Sequence, residues 1–159
     1  MRVVVIDDWD NRHNWITSLF SQFDIQNVDI THFKCPNQVR DQDIWDADLV
    51  CLDHDMCVWE EAGDLKGGLI VSLECPNTDR AHGLNMLNPH CGCPTGRDTV
   101  EQIIRLGANT KVWVHTSNHI GGPVMVKRLT EAGFKAVWQP ADETRSLTLL
   151  LEGLEVLWP

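Results

Sequence analysis

The chain has 159 residues, of which 43% are hydrophobic, so it has enough apolar material for one globular domain and too much for a disordered chain. With 13 Lys and Arg against 23 Asp and Glu, the formal net charge of −10 argues against a broad nucleic-acid surface. No apolar run approaches the roughly 20 residues of a membrane span, and no secretory signal is visible. We therefore expect a cytoplasmic protein with no membrane partner, and its oligomeric state stays unknown.

Apolar strand-like runs alternate five times with segments whose apolar residues recur at helical spacing. Short apolar strands are typical of a parallel sheet covered on both faces. We predict a single α/β domain over 1–159, with a flavodoxin-like (receiver-like) doubly wound sheet of five parallel strands in the order 2-1-3-4-5. Asp41, Asp43 and Asp46 are expected to solvate one helix face. In chain order, the elements are strand 2–6, helix 11–23, strand 28–33, a short polar helix 37–45, strand 48–52, helix 98–107, strand 111–115, helix 122–132, strand 135–138 and helix 142–157.

A stretch rich in glycine and proline, at about 57–96, interrupts this alternation after the third strand. It carries thiols and imidazoles in the number that a tetrahedral zinc site needs, and a structural zinc ion would order a segment without its own core. The alternative is a flexible lid with reduced cysteines, since disulfides are rare in the cytosol. The candidate zinc ligands are Cys75, His82, Cys91 and Cys93, with His90 and Cys57 as alternates.

Acidic, histidine and hydroxyl side chains follow the first, third and fourth strands, where each strand ends. The carboxyl ends of parallel strands meet at one edge of the sheet, so we expect these groups to line a single crevice. Clustered carboxylates repel each other unless a cation intervenes, and oxygen ligands suit Mg²⁺ or Mn²⁺. The alternative is that each Asp only caps a turn. The groups are Asp7 and Asp8, then Asp53, His54 and Asp55, then His115, Thr116, Ser117 and Asn118.

The chemistry of each group predicts a role in this crevice. The imidazoles of His54 and His115 could act on a phosphate as a pair, one activating water and the other protonating the leaving oxygen. Either His alone could instead be a structural side chain. Asp53 or Asp55 could orient an imidazole or hold the metal. We expect the metal ligands to be Asp7, Asp8 and Asp53, and the hydrogen-bond donors to phosphoryl oxygens to be Thr116, Ser117 and Asn118.

Two tryptophans follow the acidic strand ends and could wall the crevice. Trp9 comes after the first strand and Trp59 after the third. An indole at such a place can stack on a nucleobase, and packing between a helix and a loop is the alternative.

The strand ends resemble those of the receiver domain of response regulators. Asp7 and Asp8 match the paired acids of that family, Asp53 matches its third-strand acid, and a hydroxyl residue follows strand four. In receivers the paired acids bind Mg²⁺, the third acid accepts a phosphoryl group, and the hydroxyl senses it. The resemblance implies a stand-alone receiver phosphorylated on Asp53 as one function. Gln139 stands where receivers carry a lysine before proline.

The chain more closely resembles a divergent branch, the cyclic-phosphate processing receiver-like domain. The matching motifs are Leu-Asp-His-Asp at 52–55, Thr95-Gly96, and His-Thr-Ser-Asn at 115–118 with the later Met125. That branch is assigned by inference to cleavage of cyclic phosphates, such as 2′,3′-cyclic RNA ends or cyclic nucleotides. The resemblance implies a metal-assisted phosphoesterase whose partner is a cyclic-phosphate nucleotide or RNA end. A third hypothesis is a non-catalytic interaction protein that docks through the insertion.

Overall fold

The computed structural model describes residues 1–22, 25, 27–54, 95–140 and 147–156, and it confirms the predicted α/β fold. All neighbouring strands of its five-stranded sheet are parallel, in the predicted flavodoxin-like order 2-1-3-4-5. None of the helices in the described ranges is long and apolar enough to cross a bilayer. The elements are β1 (Arg2–Ile6), α1 (Asp10–Gln22), β2 (Asp29–Phe33), a 3-10 turn (Pro36–Gln38), α2 (Asp41–Trp45), β3 (Leu49–Leu52), α3 (Gly96–Leu106), β4 (Lys111–Val114), α4 (Gly121–Glu131), β5 (Ala136–Trp138) and α5 (Leu147–Gly153).

The strand residues alternate between two hydrophobic cores, one on each face of the sheet, because successive side chains of a strand point to opposite sides. One core joins the sheet to α1 and α5, and the other joins it to α2, α3 and α4. Cys51 lies in the first core. On the central strands, Val3, Val5, Leu49, Cys51 and Trp113 belong to the first core, and Val4, Ile6, Val50, Leu52, Val112 and Val114 belong to the second.

The register of the three central strands aligns their last residues. Ile6 pairs with Leu52, and Leu52 pairs with Val114. The hydrogen bonds between the strands continue for one more residue. Asp53 N donates to the carbonyl of Ile6, and His115 N donates to the carbonyl of Leu52, each at 3.0 Å. The residues at this next level are Asp7, Asp53 and His115. Alternation therefore predicts that all three point toward the face covered by α1 and α5.

Helix α3 begins two residues before its predicted start because Thr95 caps it. The carboxylate of Asp98 accepts a hydrogen bond from Thr95 N at 2.6 Å, which completes a capping box. Gly96 N donates to the carbonyl of His54 at 3.1 Å, and a Cβ on Gly96 would overlap the carbonyl of Asp53. Glycine at this position lets the helix start directly against the end of β3.

Asp43 of α2 is buried, so the prediction that it solvates a helix face is wrong. Its side chain is 3% exposed and accepts hydrogen bonds from Arg40 N, Nε and Nη2 at 3.0, 3.0 and 2.8 Å. The exposed residues Asp41 and Asp46 do lie at the surface and pair with Arg105 and Arg2. The sequence pattern could not separate Asp43 from its neighbours, and in the structure it is Asp43 that closes the capping box with Arg40 at the start of α2.

We expect Asp43→Asn to lower the free energy of unfolding at pH 7 by about 1 kcal/mol, because Arg40 is largely exposed and its pairing is screened by water. The Arg40 hydrogen bonds lower the pKa of Asp43. A carboxyl group with a lowered folded-state pKa stabilises the fold above its unfolded pKa, and this stability is lost as the pH falls through the folded value. The difference between wild type and variant should therefore be full at pH 7 and shrink below about pH 4.

Urea unfolding across this pH range measures the difference. Asp29→Asn, at an exposed position of β2, is the control, and we expect it to change stability by less than about 0.5 kcal/mol. A difference for Asp43→Asn that is the same at pH 7 and pH 3 would contradict the assignment.

Candidate functional site

Three buried side chains meet where the central strands end. Ligand atoms of Asp7, Asp53 and His115 all lie within 4.8 Å of one another, about twice the length of one metal–ligand bond. None of the three residues is more than 3% exposed. This cluster could hold a metal ion, and its third member is His115, whereas the predicted third ligand was Asp8.

Arg12 of α1 lies between the two carboxylates. Its Nη1 is 3.0 Å from Asp7 Oδ2 and 3.0 Å from Asp53 Oδ1, but neither contact has the angles of a hydrogen bond. Its guanidinium also lies 5.2 Å from the centre of the Trp9 ring. Arg12 was not among the residues predicted for the site. The signal that could have found it is a basic residue in the first turn of the helix that follows an acidic strand end.

One guanidinium does not neutralise two buried carboxylates. Removal from water raises the pKa of Asp7 to about 7, with a further contribution from the negative charge of Asp53, while Arg12 acts in the opposite direction. Burial lowers the pKa of His115 to about 4, so its imidazole is neutral at pH 7. A neutral imidazole beside two carboxylates is a donor set that a divalent cation accepts, and the cation would relieve the carboxylate repulsion.

Both ring nitrogens of His115 are buried, and neither makes a hydrogen bond to any residue that the structure describes. Nδ1 lies 3.5 Å from Asp7 Oδ2, and the ring packs edge-on against Trp113 with the centroids 5.8 Å apart. A buried polar atom without a hydrogen bond costs about 1–3 kcal/mol. The missing hydrogen bonds of the His115 ring therefore support a ligand at this cluster, independently of the carboxylate charges.

His54 has different neighbours from His115. Its Nδ1 is 3.3 Å from Asn118 Nδ2, and its half-buried ring lies against Gly121, where a Cβ would overlap it. Gly121, which was not among the predicted site residues, leaves the space that the ring fills. The structure thus places one predicted catalytic histidine in the carboxylate cluster and the other at the start of α4.

The polar residues after β4 differ in exposure. Thr116 is buried, its Oγ1 accepts a hydrogen bond from Asn118 N at 3.2 Å, and its carbonyl accepts one from Trp138 Nε1 at 2.9 Å. Ser117 is exposed and Asn118 is half-buried. Of the two hydroxyls predicted to bind phosphate, Thr116 supports the turn and Ser117 reaches solvent.

Asp8 lies beside the cluster without belonging to it. It is half-buried, and its charge contributes to the raised pKa of Asp7. Trp9 is 54% exposed next to it. The other predicted site residues, including the whole candidate zinc site, lie outside the described residues: Asp55, Cys57, Trp59, Cys75, His82, His90, Cys91 and Cys93.

We expect Arg12→Gln to strengthen Mn²⁺ binding by about tenfold, because the guanidinium and a bound cation would use the same oxygens of Asp7 and Asp53. Without metal, the variant should unfold more easily by about 2–3 kcal/mol, because two buried carboxylates lose their partner. Titration calorimetry and urea unfolding measure the two effects.

The matched control is Arg105→Gln, which removes an exposed pairing with Asp41 and should leave Mn²⁺ affinity unchanged. Weaker Mn²⁺ binding by Arg12→Gln would show that the guanidinium supports a bound cation and does not compete with it.

Similarity to known proteins does not assign the chain to a family. No family model matches it, and no curated protein matches it. The resemblance carried by 52–55, Thr95-Gly96 and 115–118 stays a prediction from those residues. The strand order and the geometry of the cluster are what the structure itself establishes.

Proposed function

We propose that the chain is a phosphoesterase that opens cyclic phosphates with the help of a divalent cation. The observation that carries the proposal is the buried cluster of Asp7, Asp53 and His115 at the carboxyl edge of the sheet. A divalent ion there would polarise the phosphoryl oxygens and lower the pKa of a water molecule. The imidazole ligand favours Mn²⁺ over Mg²⁺, because Mg²⁺ prefers a shell of oxygens alone.

The reaction adds one water molecule across one ring bond of the cyclic phosphate. A P–O bond to the water oxygen forms, one P–O bond of the ring breaks, and the departing oxygen gains a proton while the water loses one to solvent. Among the described residues, His54 and Ser117 are the groups outside the cluster that we assign to the phosphate. His54 directly follows Asp53, and the Ser117 hydroxyl is exposed at the end of β4.

A nucleotide is the substrate class that Trp9 supports. Its indole is 54% exposed, follows the acidic end of β1, and lies beside Arg12 at the cluster. An exposed aromatic ring next to a phosphate site offers a surface on which a base can stack.

The two other hypotheses have less support. Gln139 stands where receivers have lysine, and its carbonyl accepts a hydrogen bond from Trp113 Nε1. Docking through the insertion concerns residues outside the described ranges.

We expect the wild-type protein to hydrolyse 2′,3′-cyclic nucleotides in the presence of Mn²⁺, and chelation of the cation should abolish the activity. Asp53→Asn should lower kcat/KM by about 100-fold or more, because it removes a ligand and a charge from the cluster. Phosphate release coupled to a phosphatase, over a panel of 2′,3′- and 3′,5′-cyclic nucleotides, measures the activity.

Asp29→Asn has the same change of charge at an exposed site far from the cluster and should keep wild-type rates. The proposal fails if the wild type is inert on the whole panel with both Mn²⁺ and Mg²⁺, or if Asp53→Asn is as active as the wild type.

We expect Trp9→Ala to raise KM for 2′,3′-cyclic nucleotides by about tenfold while kcat stays nearly constant, because base stacking contributes about 1–3 kcal/mol. A cyclic phosphate without a base, such as glycerol 1,2-cyclic phosphate, should show no such change. Trp45→Ala, at another exposed indole, is the control. An equal effect of Trp9→Ala on both substrates would assign the indole to the structure of the crevice.

A further inference from the structure

Asn118 connects the start of α4 to His54 through both ends of its side-chain amide. Oδ1 accepts hydrogen bonds from Ile120 N at 3.0 Å and from Gly121 N at 2.7 Å. At the other end, Nδ2 lies 3.3 Å from His54 Nδ1. The Asn118 side chain therefore links the imidazole of His54 to the main-chain turn at the start of α4.

The two main-chain donors determine which end of the amide faces the imidazole. If the amide were turned over, its NH₂ group would face two N–H groups and both hydrogen bonds would be lost. Nδ2 therefore faces His54. An amide nitrogen only donates, so His54 Nδ1 must present a lone pair, and the proton of the neutral ring must then be on Nε2.

The backbone around the ring supports this orientation. The ring lies against Gly121, whose missing side chain leaves the space, and the carbonyl of His54 accepts a hydrogen bond from Gly96 N at 3.1 Å. Two helix starts, those of α3 and α4, thus hold the main chain and the ring of His54. Nε2 is the ring nitrogen of His54 that does not face the amide of Asn118.

We propose that Asn118 is a positioning residue that holds His54 with Nδ1 as the hydrogen-bond acceptor and Nε2–H as the donor to a phosphoryl oxygen. The identity of the acceptor rests on the proposed function, whereas the tautomer does not. In this form His54 cannot take the proton of the attacking water at Nε2, because that nitrogen has no lone pair available. His54 stabilises charge on the phosphoryl group by a hydrogen bond, and no proton leaves the ring.

Asn118→Asp is the variant that tests the assignment. Its Oδ1 can still accept from Ile120 N and Gly121 N, so the turn is retained, but the second oxygen accepts where the amide donated. His54 Nδ1 must then carry a proton. The ¹⁵N NMR spectrum of uniformly labelled protein reports which ring nitrogen is protonated. The signals of His54 are those that disappear in His54→Gln.

In wild type we expect the ¹⁵N shift of an unprotonated nitrogen at Nδ1 and of a protonated one at Nε2. In Asn118→Asp the Nδ1 shift should become that of a protonated nitrogen. Asn14→Asp, which makes the same change at an exposed position of α1, should keep the wild-type pattern. A protonated Nδ1 in neutral wild-type His54, or the same shifts in wild type and Asn118→Asp, would overturn the proposal. The wild-type spectrum alone decides the tautomer if the variant does not fold.

The acceptor is tested separately with inorganic phosphate. Mg²⁺ takes the place of Mn²⁺ in this experiment because it is diamagnetic. Saturating inorganic phosphate should then change the ¹⁵N shift of His54 Nε2 in the wild type. An unchanged shift would overturn the assignment of a phosphoryl acceptor. The activity gives a further readout, since Asn118→Asp should lower kcat by about 100-fold with KM little changed. If the tautomer is as expected but no cyclic phosphate is hydrolysed, the proposed function fails and the role of Asn118 in positioning His54 stands.

Discussion

The pairing register of β1, β3 and β4 is the constraint on which the candidate site depends. Ile6, Leu52 and Val114 lie side by side in the sheet, so the residues that follow them start at one level and share one phase of the pleat. A slip of one residue on one strand would move its polar group to the opposite face of the sheet. The alternation of the strand residues between two hydrophobic cores prevents such a slip, because a slipped strand would place every apolar side chain on the wrong side. The packing of the cores thus brings the carboxylates and the imidazole together.

The same alternation divides the crevice into two sides. Asp53 shares its level with His115, so His54 is one step further along and belongs to the opposite phase. The contacts agree, since His115 meets Asp7 and Trp113 while His54 meets Asn118 and the start of α4. The proposed function divides the roles in the same way: the side toward α1 would hold the cation, and the side toward α4 would present His54 to the phosphate.

Much of this arrangement could be predicted from the sequence, and the part that could not depends on contacts between distant residues. The apolar runs predicted the strand number and order, and the acids at their ends predicted a charged edge. The phase difference between His54 and His115 could be read only after the strands were aligned. Arg12 was missed because helical spacing does not show which polar side of α1 faces the carboxylates. Burial of Asp43 was missed because Asp41, Asp43 and Asp46 look alike in the sequence pattern, which does not show that the Asp43 carboxylate accepts hydrogen bonds from Arg40.

The charges of the cluster favour a site for a ligand over a network that only stabilises the fold. A structural ion pair in a protein interior is normally completed by hydrogen bonds, since an uncompensated buried charge costs several kcal/mol. Here Arg12 approaches both carboxylates without hydrogen-bond angles, and the pKa of Asp7 is raised to about 7 because burial and Asp53 outweigh that guanidinium. His115 adds two buried nitrogens that make no hydrogen bond within the described ranges. Hydrophobic residues of similar volume would fill this space at lower cost, so the polar set favours a binding role, and its three ligand atoms are close enough together that they could hold one cation.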